Sequence, residues 1–138
     1  MNKKNFFRIV VMASVVSAII VSCAKDDTSD PVTLPRDKFI GTWHVSAHGT
    51  NSGNLTWDVI IEAASASLPE GIVMKNFDQI GNDKSVPADV SGNNLAIPGT
   101  VVGAVTIEGT GSLSNNILTF DYTSTDSQTD TVHATATK

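Results

Sequence analysis

The chain has 138 residues, with nine Lys and Arg against fourteen Asp and Glu. All fourteen acids but only six of the bases lie from Cys23 onward, so that part carries a net charge of −8, which repels phosphate backbones and anionic head groups. This argues against nucleic-acid binding, and a single cysteine leaves no internal disulfide to build.

Lys3, Lys4 and Arg8 open the chain, and the apolar run Ile9–Val21 follows. As a helix this run would span roughly 20 Å, short of the ~30 Å hydrocarbon core of a bilayer. A basic start, a short apolar stretch and a small residue before the cut describe an export signal over residues 1–22. Ile20-Val21-Ser22-Cys23 resembles the lipobox of bacterial lipoprotein signal peptides. The resemblance implies cleavage before Cys23 and attachment of lipid to that cysteine, making the membrane the first partner. It also accounts for a lone thiol in an exported chain.

Residues 23–35 read as a tether, rich in acids, Ser, Thr and Pro and without periodicity. Within it, Lys25-Asp26-Asp27 resembles the export signal of Bacteroidota surface lipoproteins. That resemblance implies an outer-membrane lipid anchor with the domain on the cell exterior; an ordinary acidic linker would leave it facing the periplasm.

From Arg36 to Lys138 the pattern has a period of two, the mark of strands with one buried and one wet face. Trp43, Val45 and Ala47 alternate with polar residues in Thr42–His48. Trp57, Val59 and Ile61 do so in Leu55–Ala63, Leu118, Phe120 and Tyr122 in the run from Leu118, and Val132, Ala134 and Ala136 near the C-terminus. Val101–Leu113 reads as one further strand, with Pro98-Gly99 as the turn before it. Adding Ile72–Phe77, Lys84–Val90 and Asn94–Ile97 makes about eight short antiparallel strands, joined by Gly- and Asn-rich turns. The predicted class is all-β: a small antiparallel up-and-down barrel in one domain, 36–138. A two-sheet β-sandwich has the same local signature.

Phe39-Ile40-Gly41-Thr42-Trp43 resembles the opening motif of the lipocalin and avidin superfamily, the calycins. The resemblance implies that the Trp43 indole closes one end of a barrel, with Phe39 before it and Gly41 permitting close backbone approach. The chain departs from that family in two respects. After Trp43 only Trp57 remains, so the later tryptophans of an avidin biotin site are absent. Disulfides and the basic residue typical of the last lipocalin strands are also missing, Lys138 being the sole late base.

No catalytic constellation stands out, no cofactor motif is present, and a non-enzymatic role is expected. His44 and His48 lie about 13 Å apart along one strand, too far to share a metal ion. His133 could pair beside either, but solvent-facing polar positions are the better reading, so no metal site is expected. Asp121, Asp126 and Asp130 cluster around the last hairpin and read as a solvated loop. Inward aromatic and aliphatic residues should fill so short a barrel, with Ala47, Ala63, Ala88, Gly103, Gly109, Ala134 and Ala136 as their small partners. The expected function is therefore interaction with a host or envelope protein, or a structural role, through loops such as Gly49–Asn54 and Ser124–Gln128. The alternative is a binding module for a small apolar ligand or peptide at the barrel mouth.

Overall fold

A computed structural model describes residues Val32–Lys138. The expected signal peptide, Cys23, Lys25, Asp26 and Asp27 lie outside the described residues. Eight strands follow one another: β1 Gly41–Gly49, β2 Gly53–Ala63, β3 Gly71–Lys75, β4 Ser85–Ser91, β5 Asn94–Val102, β6 Val105–Ser114, β7 Ile117–Thr125 and β8 Thr129–Thr137. Each pairs antiparallel with the next, and β8 returns to β1, so the sheet closes into an up-and-down barrel. Closure leaves no strand edge unpaired, which the sandwich alternative could not offer.

Alternation translates directly into burial. Along β1 the residues Trp43, Val45 and Ala47 face inward, and their polar neighbours face water. The same two-residue rhythm runs through β4, with Val86, Ala88 and Val90 inward, and β8, with Val132, Ala134 and Ala136 inward. The inward side chains form one apolar cluster, and no buried polar or charged residue occurs among the described residues.

Large and small residues interlock across that interior. Gly109 and Gly111 of β6 pair with Tyr122 and Phe120 of β7. A Cβ on Gly109 would stand 2.4 Å from the Tyr122 Cβ, and one on Gly111 would stand 3.1 Å from the Phe120 ring. The glycines thus make room for the aromatic rings. Ala47, Ala88, Ala134 and Ala136 take inward places as expected, whereas Ala63 and Gly103 are exposed.

Two boundaries differ from the sequence reading. Pro98-Gly99 is no turn: β5 continues through it to Val102, with a register shift between Ile97 and Thr100. Proline lacks the N–H that a regular ladder needs, so the strand bulges there instead of ending. The turn falls at Gly103-Ala104, with Gly103 at φ +67, and Val101 belongs to β5 and is 71% exposed. Likewise β3 stops at Lys75, because Asn76, Asp78 and Gln79 all adopt positive φ. Phe77 then turns inward from a short 3-10 turn, Phe77–Gln79.

Candidate functional site

The barrel has two unlike ends. At the first, the chain enters through a 3-10 turn, Pro35–Lys38, beside the β2–β3, β4–β5 and β6–β7 connections. Phe39 is fully buried there, and the Trp43 indole, 2% exposed, donates from Nε1 to the Phe39 carbonyl at 2.7 Å. Lys138 Nζ stands 4.6 Å from the Trp43 ring centre and donates to the Ile40 carbonyl at 2.8 Å. Gly41 sits at φ +131, where a side chain is strained and a Cβ would press within 3.3 Å of Lys138. Arg36 Nη1 adds hydrogen bonds to the carbonyls of Leu68, at 2.8 Å, and Gly71, at 3.2 Å. Backbone carbonyls at this end thus accept from an indole, an ammonium and a guanidinium. Phe39, Gly41 and Trp43 come together at this end, and Lys138 joins them, although its place one residue beyond β8 was the only signal for it.

The opposite end is built from polar loops over an aromatic floor. Phe77 packs edge-on against Phe120, ring centres 5.2 Å apart, and tilts against Tyr122 at 4.8 Å. The Tyr122 hydroxyl donates to Asp78 Oδ1 at 2.7 Å. Burial, reinforced by the Asp78 charge and that hydrogen bond, pushes the phenol far above its ordinary pKa, so Tyr122 stays protonated. Sequence reasoning placed Phe77 inward but missed Asp78, since a left-handed Asp78 (φ 54) has no clear local signature.

Asp130, at the start of β8, ties the 50–52 loop to the last hairpin. Its Oδ1 accepts from the Thr50 hydroxyl and the Asn51 amide, both at 2.9 Å, and its Oδ2 from the Ser52 amide at 3.1 Å. Asn51 Nδ2 completes the link to the Thr129 carbonyl at 2.8 Å. Hydrogen bonds from Ser52, then Asn51 and Thr50, hold the Asp130 carboxyl below the usual range. Asp126 is lowered too, chiefly by the Gln128 amide, 2.9 Å from its Oδ1. Between these loops lies an open hollow of about 360 Å³, lined by Asn51, Ser52, Asp78, Asp126, Gln128 and Asp130, with Ser124 and Leu55. Asp126 and Asp130 therefore share the mouth, whereas Asp121 stands on the outer wall, away from the predicted cluster.

On that wall the histidines resolve into an ordered row. His44 Nδ1 meets Asp58 Oδ1 at 2.9 Å, His48 Nδ1 meets Asn54 Oδ1 at 2.9 Å, and His133 Nδ1 meets Asp121 Oδ1 at 2.6 Å. The β1–β8 register sets His133 opposite His48, not His44. No set of three His, Cys, Asp or Glu among the described residues is grouped to hold a metal ion. No helix of the described residues is long and apolar enough to cross a membrane.

No protein-family model matches the chain, and no curated protein matches it. Among solved structures it is similar to a redesigned β-barrel, at 14% identity and a TM-score of 0.53, covering 78% of this chain and 96% of that one. At that identity the likeness concerns the fold alone. A β-barrel fold is what the two chains share.

Proposed function

We propose that the protein is an exported surface lipoprotein, held to the outer membrane by lipid on Cys23, whose filled barrel presents polar loops to a host or envelope protein. The observation that carries the reading is the mouth itself: Asp130 holds the 50–52 loop, and Asp126 shapes the 126–128 loop, beside a packed aromatic floor. Polar side chains on tied loops suit adaptable contacts with another macromolecule. The described chain enters the barrel at the end opposite the mouth. No observation favours an apolar ligand, because Leu55 is the sole large apolar residue lining the mouth hollow.

The calycin-type reading rests on Phe39, Gly41 and Trp43, and Lys138, the sole late base, stands over the Trp43 ring. The role proposed is non-enzymatic, and the anchor rests on the lipobox-like tetrapeptide and the Lys25-Asp26-Asp27 stretch.

A photo-crosslinker placed at Gln128, in the mouth, and separately at exposed Ile117, at the other end, tests the loop assignment in cells expressing the full chain. A discrete adduct from Gln128 and none from Ile117 is expected; equal adducts, or none from Gln128, would overturn it. Cys23→Ser should abolish incorporation of labelled fatty acid. Added protease should digest the wild-type domain on intact cells, and alanines at 25–27 should protect it.

A further inference from the structure

We propose that His48 and His133 form a two-histidine site for a borderline transition-metal dication, such as Ni²⁺, Cu²⁺ or Zn²⁺, on the outer wall across the β1–β8 seam. The two residues are direct cross-strand partners. The Thr50 amide donates to the Thr131 carbonyl two residues along the same ladder, which makes that pair a hydrogen-bonded one. By the alternation of an antiparallel ladder, His48 and His133 are hydrogen-bonded partners too, with Cα atoms about 5.5 Å apart. Both line one open hollow on the wall.

Ring orientation carries the inference further. Each Nδ1 is engaged away from the seam: His48 with Asn54 on β2, His133 with Asp121 on β7. Within an imidazole, Nε2 is bonded to the carbon on the edge opposite Nδ1. Turning both Nδ1 atoms outward therefore turns both Nε2 edges inward, across the seam toward each other. Oxygen acceptors on Nδ1 also fix the tautomer, leaving the Nε2 lone pairs free for a metal. A carboxylate or amide oxygen behind each ring is the support that metal-bound histidines use.

Imidazole nitrogen suits these dications at about 2.0–2.1 Å for zinc, and affinity among them rises toward Cu²⁺. Because no third His, Cys, Asp or Glu among the described residues joins the pair, water fills the remaining positions. His44 supplies an internal control. It lies on the same strand with a similar carboxylate behind it, but its β8 partner is Thr137.

The test uses the full chain in detergent, carrying Cys23→Ser so that the thiol cannot compete. Ni²⁺ is titrated while the three histidine ring signals are followed by NMR. His48 and His133 should broaden together, saturating at one equivalent, while His44 persists. Asp121→Ala should weaken binding about tenfold, and His48→Asn or His133→Asn at least as much, with His44→Asn leaving it unchanged. All four sites are exposed, so the barrel tolerates each change. Parallel broadening of all three histidines, no saturable binding, or unaltered affinity in His48→Asn would overturn the proposal.

Discussion

The two ends of the barrel solve the same problem with opposite chemistry. Where the chain enters, an apolar plug of Phe39 and Trp43 is sealed by cations that cap backbone carbonyls. At the mouth, Phe77, Phe120 and Tyr122 form the apolar floor, and anions gather backbone amides above it. A cation over an indole is a compact seal on a buried ring, whereas a carboxylate holding loop amides leaves side chains such as Asn51 and Gln128 facing water. The first end is therefore sealed, and the second leaves polar loop side chains exposed.

The contrast predicts a graded series of effects. Trp43→Ala empties a buried ring site and should destabilise the protein by about 3–5 kcal/mol in chemical denaturation. A near-wild-type midpoint would mean that the indole seals nothing. Lys138→Met keeps the apolar stem but loses the ring contact and the Ile40 hydrogen bond, for about 1 kcal/mol. Asp130→Asn should leave global unfolding nearly unchanged while the amides of Asn51 and Ser52 exchange faster with solvent. The sign of its pH dependence follows from the lowered folded value. The tie is complete above the ordinary carboxylate pKa of about 4 and is lost as pH falls below it toward that folded value. Loop exchange that quickens on raising the pH beyond its intrinsic rate would contradict the assignment.

Much of this was legible because strand alternation is a local signal. Trp43, Val59, Phe120 and Ala134 announce their inward phase two residues at a time. Closure was not legible in the same way, since it rests on β1 meeting β8 across the length of the domain, and a sandwich has the same local pattern. Pro98-Gly99 carries turn chemistry yet sits in a bulge, because the neighbouring ladder holds β5 in the sheet on both sides of it. Asn115-Asn116, by contrast, behaves as its residue types suggest, both at positive φ in a two-residue hairpin. The mouth was half visible: its loops could be named from composition and Phe77 read as inward, but Asp78 arrives through a left-handed segment that propensity does not foresee. The pairing of His133 with His48 needed the register, and Lys138 needed the ring it covers.

The central claim is that the interior is filled and that recognition belongs to the loops. Xenon or a fluorescent apolar dye, equilibrated with the protein and located by NMR shifts, probes the interior directly. The account predicts no stoichiometric occupancy and no perturbation of Val59, Ile107, Leu118 or Phe120, all of which are fully buried. One equivalent bound inside the barrel against those residues would contradict it, and would make a small apolar ligand the better account of what the protein holds.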